Sequence, residues 1–213
     1  MDASFVTRLG QWASNLLTLL FNLKPNRLSD LKPNRDPSGC PPGRSITMET
    51  RTVARAIILV AIGVAVSPFT SIPIGIARIN PAQHFINVMG AVLLGPWWAA
   101  GVALVIGILR NALGTGTLLA FPGGMIGAFM AGYVYLLTRN IYLGALGEII
   151  GTGLVGAIVS ALIVAPVLMS KTMAVGGLII AFSGSTILGS ILGVLALRLL
   201  KRAGFDRSGR NGA

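Results

Sequence analysis

The sequence predicts an all-α membrane protein, a bundle of six transmembrane helices with both termini cytoplasmic, and three observations lead there. Composition is the first: 54% of residues are hydrophobic and 11% charged, with a mean hydropathy of +0.79, far too apolar for a water-soluble domain. The second is segmentation, because beyond Glu49 the apolar residues fall into six runs near the roughly 20 residues that a bilayer core requires. The third is charge placement. Of 17 basic and 6 acidic residues, only Arg78, Arg110, Arg139, Lys171 and Glu148 lie between Ala56 and Leu197, so the net charge of +11 comes mainly from the two ends. Basic flanks of this kind suit anionic lipid rather than nucleic acid, since no basic stripe interleaved with aromatics exists.

Residues 1–49 read as a polar, disordered tail: "LKPNR" occurs twice and is followed by "PSGCPPGR". One short amphipathic helix fits at "WASNLLTLLFN", and a secretory signal is not expected, for want of a basic start, a long enough apolar stretch and a cleavage site. The compositional break also makes Met48 a candidate true start. A lone cysteine, Cys40, excludes an internal disulfide.

The spans follow in order: about Val53 to Phe69; a short second from His84 to Leu94; Trp97 to Leu113; Gly123 to Leu137; Tyr142 to Met169; and Met173 to Leu200. The last two are long enough to tilt, or to break at Pro166 or near Gly184. Residues 50–202 thus form the membrane domain and residues 203–213 a basic tail. Arg51 and Arg55, then Arg139, then Arg198, Lys201 and Arg202 fall on one side of a six-span chain, which the positive-inside rule makes cytoplasmic. Trp97 and Trp98 suit an aromatic anchor at a cytoplasmic turn. Arg78, Arg110 and Lys171 are left on the outer side, where topology gives them no reason.

Polar groups within spans are costly and mark pairs or cavities. Three sets qualify: Gln83, His84 and Asn87 entering the second span; Arg110, Asn111, Thr115 and Thr117 in "RNALGTGT"; and Glu148 with Thr152 on the fifth. His84 and Asn87, three apart, share a helical face, as do Glu148 and Thr152, four apart. The first two sets map to the outer ends of spans and suggest one small outward pocket, with Phe85 or Phe121 as an aromatic wall. Structural readings stand beside these: Glu148 as a packing partner of Arg110, His84 as a capped helix start, the threonines bonded to their own carbonyls. Glu148 fits the pocket less neatly, lying only about two turns into its span from the cytoplasmic side.

Small-residue pairs at four-residue spacing (Ala61 and Ala65, Gly123 and Gly127, Gly147 and Gly151, Gly189 and Gly193) let helices approach closely. The alanine pair also suits a docking face for another protein. No phosphate loop is present, and with one histidine and one cysteine no metal-ligand cluster forms, so neither nucleotide hydrolysis nor a bound metal is expected of the chain itself. An enzyme is not expected either: a nucleophile needs a positioned base, and His84 is the only histidine.

At "SIPIGIARINPAQHFINVMGAVLLGP", "LRNALGTGTLLAFPGG" and "LGEIIGTGLVGA", over about residues 50–202, the sequence resembles the ThiW family, substrate-capture subunits (S components) of energy-coupling factor (ECF) vitamin transporters. Residues 1–47 have no counterpart in that likeness. The resemblance implies a multi-pass protein of a prokaryotic cell membrane that binds hydroxyethylthiazole, the thiazole precursor of thiamine, at its outer side. It also implies partners: an EcfT-type membrane coupling subunit and two ATPases, which hydrolyse the ATP, with no cofactor in this chain. Ala61 and Ala65 would match the family's coupling motif, and Thr70 to Pro81 its lid. The expected ligand-contacting residues are Gln83, His84, Asn87, Arg110, Asn111, Thr115, Thr117, Phe121 and Glu148. Hydroxymethylpyrimidine or thiamine are alternative ligands, an autonomous carrier coupling protons through Arg110 and Glu148 is an alternative mechanism, and a structural membrane protein without ligand is a further class.

Overall fold

The computed structural model describes residues 50–74 and 77–202. The tails 1–49 and 203–213, with the Met48 start and the amphipathic helix expected in the first, lie outside the described residues. The chain divides into two compact units, Met1–Arg55 and Ala56–Ala213; of the first, only the opening turns of a helix are described.

Six helical rods and one hairpin make up the described chain: α1 (Thr50–Thr70), β1 (Ile72–Ile74), β2 (Ala77–Ile79), α2 (Pro81–Leu93), α3 (Pro96–Ala112), α4 (Ala120–Thr138), α5 (Ile141–Met169) and α6 (Val175–Arg202). The sequence sets most boundaries. Asn80 caps α2 by accepting the Gln83 N–H, and Pro81 takes the first helical position, where its missing N–H costs nothing. Gly95, at φ 96°, turns the chain into Pro96 and α3. Asn140 caps α5 through the Tyr142 N–H at 2.9 Å. The predicted break at Pro166 is absent as a break, for α5 runs on through it; π-helical turns at Gly151–Gly156 and Ser160–Val164 absorb the irregularity. No break occurs near Gly184 either, because α6 is continuous.

Among the described residues, four segments are long and apolar enough to cross a bilayer: Thr52–Thr70, Ala120–Thr138, Ile141–Met169 and Val175–Arg202. α2 and α3 are shorter, at 13 and 17 residues. At 1.5 Å per residue α2 extends only about 20 Å, against a hydrocarbon core of about 30 Å. The antiparallel hairpin, in register Ile72 with Ile79 and Pro73 with Arg78, leads directly into the N-terminus of this short helix.

Small residues hold the rods together. Gly127 of α4 faces Gly151 of α5 so closely that a side-chain carbon on Gly151 would stand 2.8 Å from the Gly127 Cα, and Gly156 meets Gly123 in the same seam. A carbon added to Gly132 would meet the Pro96 backbone at 2.5 Å. Leu59, Ile86, Val88, Met89, Val102 and Ile106 fill the apolar core among α1, α2 and α3. Ala61 and Ala65 instead lie exposed on α1, on the same face as the exposed Ile57.

Candidate substrate-binding site

Two of the polar sets meet at the centre of the bundle. Glu148 of α5 is wholly buried, and three side chains converge on its Oε1: His84 Nδ1 at 2.9 Å, Asn87 Nδ2 at 2.9 Å and Thr152 Oγ1 at 3.0 Å. Local spacing supplies half of this, since the turn of α2 puts His84 and Asn87 on one face and the turn of α5 does the same for Glu148 and Thr152. Helix packing supplies the rest. Asn87 also donates to the Gly124 carbonyl at 3.2 Å, and the Thr152 hydroxyl has a second acceptor in the Gly123 carbonyl at 2.8 Å. Glu148 Oε2 and Asn87 Oδ1 have no partner.

Arg110 is buried too, and its partners correct the expectation of an Arg110–Glu148 contact pair. Its Nη1 donates to Gln83 Oε1 and its Nη2 to the Thr115 carbonyl at 3.2 Å, both neutral acceptors. Among the described residues the salt bridge within reach is His84 with Glu148.

Above this layer lies a small cavity of about 20 Å³. Arg78, Ile79 and Asn80 line it from the hairpin end, Gln83 and His84 from α2, and Ala120, Thr152, Phe182 and Ser185 from the α4, α5 and α6 sides. Ser185 Oγ is fully buried and has no hydrogen-bond partner. The Phe182 ring packs beside Gly123, and Gly189, one turn beyond Ser185, lies against the His84 Cβ, so α6 brings Phe182 and Ser185 to the wall facing α2.

Of the residues singled out from the sequence, Gln83 and His84 line the cavity, while Asn87 and Glu148 lie in the hydrogen-bonded layer that includes Thr152. Asn111, Thr115, Thr117 and Phe121 are not brought onto it. "RNALGTG" instead closes the C-terminus of α3, where the last carbonyls of a helix need donors. Gly114, at φ 68°, makes the left-handed turn, the Thr115 and Gly116 N–H groups return to the Arg110 carbonyl, and Asn111 Nδ2 donates to the Gly107 carbonyl at 2.9 Å and the Thr117 carbonyl at 3.4 Å. Phe121 turns its ring toward Gly107. This same turn fastens the hairpin: Ser71 Oγ donates to the Thr115 carbonyl at 3.1 Å and Arg78 Nη1 to the Gly114 carbonyl at 2.7 Å.

Phe182 and Ser185 are cavity residues that the sequence reading did not select, whereas Thr152 was named there with Glu148, and Arg78 and Asn80 fall within the segment expected as a lid. For Phe182 and Ser185 the available signal was "FSGS", a polar interruption inside the most apolar part of the last span, with both residues on one helical face.

A family model described as thiamine-precursor transporter protein (ThiW) matches residues 53–203. No curated protein matches the chain. Among solved structures, the S component of a bacterial ECF transporter superimposes with a TM-score of 0.61 at 20% identity, covering 74% of this chain and 99% of that one. At that identity the likeness shows the fold. The chain belongs to the ThiW family of thiamine-precursor transporter proteins and has the fold of an ECF S component.

Proposed function

We propose that the chain is the substrate-capturing S component of an ECF-type ABC importer and that its ligand is hydroxyethylthiazole. The observation that carries this is the cavity, in which Gln83, His84, Thr152 and Ser185 surround a space walled by the Phe182 ring. A small neutral heteroaromatic alcohol needs an apolar wall and a few placed hydrogen-bonding groups rather than a strong counter-charge. Among the described residues no carboxylate lines this cavity, and Glu148 lies behind His84 and Thr152 with its Oε1 bonded by His84, Asn87 and Thr152. That favours the thiazole over the amine-bearing hydroxymethylpyrimidine and the cationic thiamine.

In this reading all six rods sit in the cell membrane of a prokaryote with both ends cytoplasmic, and the cavity opens outward. The closed volume is well below the roughly 300 Å³ at which ligand pockets begin. Entry therefore goes with lifting of the strands Ile72–Ile74 and Ala77–Ile79, breaking the Ser71 and Arg78 bonds to the turn after α3, and bound ligand lets them re-form. The exposed Ala61 and Ala65 offer a close-approach surface to an EcfT-type coupling subunit, and two ATPases bound to that subunit supply the energy for release inside.

A second reading, an autonomous proton-coupled carrier, draws on the buried His84–Glu148 pair. Uptake of radiolabelled thiazole in cells carrying the chain with and without the coupling subunit and ATPases separates the two. The S-component reading expects transport only with the partners, and undiminished transport by the chain alone contradicts it.

A further inference from the structure

We infer that His84 reads the hydroxyl group of the ligand through a bare Nε2, that Glu148 is the positioning residue that keeps it bare, and that Ser185 reads the ring nitrogen. This assignment rests on the thiazole-alcohol reading of the cavity and adds which atoms recognise which part of the molecule.

The tautomer follows from what surrounds Glu148. His84 Nδ1, the Asn87 amide and the Thr152 hydroxyl all approach one oxygen, Oε1. An oxygen that receives several donors is acting as a carboxylate acceptor and not as a carboxylic O–H, so Nδ1 carries a hydrogen and donates it. Charge balance decides the other nitrogen. Buried Arg110 contributes +1 and buried Glu148 −1, and every hydrogen-bond partner of Arg110 is neutral. With a neutral imidazole the buried groups sum to zero; a second proton on His84 leaves an uncompensated positive charge in a buried layer, which is costly. Nε2 is then an acceptor only. His84 lines the cavity while its Nδ1 is engaged behind it, so Nε2 is the polar atom it offers a ligand.

Ser185 supplies the complement. Its hydroxyl lines the same cavity, is fully buried and has no partner, an arrangement that a ligand acceptor satisfies. Gly189, one turn along α6, packs on the His84 Cβ, which holds the two side chains on facing walls. Thr152 has two acceptors for its one hydroxyl hydrogen, so it faces the cavity mainly as an acceptor. A ligand with one hydroxyl donor and one ring-nitrogen acceptor fits this set. A ligand whose hydroxyl is capped does not, because it sets an oxygen against the bare nitrogen.

The test pairs ligand changes with residue changes. Binding of hydroxyethylthiazole and of its O-methyl ether is measured by calorimetry on the purified wild-type chain and on His84→Gln, His84→Leu and Ser185→Ala variants. The wild type is expected to prefer the alcohol by about tenfold or more, the value of one buried hydrogen bond with an unsatisfied alternative. His84→Leu should bind both compounds alike and weakly, and His84→Gln should keep part of the preference, because an amide oxygen can stand near the position of Nε2. Ser185→Ala should weaken both compounds by a similar factor and leave the preference intact. Equal binding of alcohol and ether by the wild type overturns the assignment while leaving the thiazole reading in place, and it needs no variant to fold. A preference that survives in His84→Leu also overturns it. No saturable binding of either compound to the wild type contradicts the thiazole reading itself.

Discussion

Glu148 collects His84, Asn87 and Thr152 on one oxygen, and its other oxygen rests beside Gly127, where a side-chain carbon would stand 2.8 Å away. Removing the carboxylate leaves the His84 and Asn87 donors buried without that acceptor. Glu148→Ala is therefore expected to cost about 1–3 kcal/mol for each buried donor left unsatisfied, visible as a large fall in thermal unfolding temperature in detergent. An unchanged melting curve would show that the layer contributes little. The neighbouring glycine makes an independent check. Gly127→Ala drives a methyl group into Thr152 and Glu148 and should cost about 1–3 kcal/mol, whereas Gly184→Ala, with open space around it, should be neutral or stabilising. At this scale the sequence was half legible. The pairing of His84 with Asn87 and of Glu148 with Thr152 follows from helical spacing, but the meeting of the two pairs does not, because it is made by packing between α2 and α5. The same gap explains Arg110. Opposite charges invited a direct pair with Glu148, whereas Gln83, adjacent to His84, takes the guanidinium instead.

Helix α2 is too short, at 13 residues, to cross a bilayer core, and the hairpin joins its N-terminal end, where Ile79, Asn80, Gln83 and His84 line the cavity. Two hydrogen bonds from Ser71 and Arg78 to the turn after α3 keep that hairpin in place. Arg78→Ala should accordingly speed ligand dissociation by about twofold to tenfold, the equivalent of about 0.5–1.4 kcal/mol for one hydrogen bond, with a smaller effect on the folding transition. Stopped-flow dissociation checks this, and an unchanged off-rate would mean that the hairpin does not gate the cavity. Helix boundaries carry local signals at Asn80-Pro81, Gly95-Pro96 and Asn140, but segmentation by hydropathy started the second span at His84, three residues inside the helix that begins at Pro81. The hairpin was legible only as a loop, since strands of three residues, one holding Pro73, give too little pattern. "RNALGTG" misled for a physical reason: polar side chains that close a helix C-terminus look the same in sequence as polar side chains that face a ligand.

Across the whole molecule, the seam of Gly123, Gly127, Gly151 and Gly156 is used up in packing α4 against α5, and Gly189 and Gly193 are used up against α2. Ala61 and Ala65 stay exposed, which sets them apart from the other small-residue pairs. If they dock the coupling subunit, Ala61→Trp or Ala65→Trp should leave ligand affinity within about twofold, as expected of a surface change away from the cavity, and abolish partner-dependent uptake. Loss of binding as well would place their role within the S component itself. The charge pattern and hydropathy announced a membrane bundle from the outset, while the cavity's identity had to come from helix packing, because Phe182 and Ser185 are far in sequence from His84. The most direct test of a thiamine-precursor capture subunit is equilibrium binding of hydroxyethylthiazole, hydroxymethylpyrimidine and thiamine to the purified chain. Saturable binding with the thiazole tightest, weakened by His84→Leu, is the expected result; tighter binding of either other compound would contradict the assigned ligand, and no binding of any would contradict the capture function.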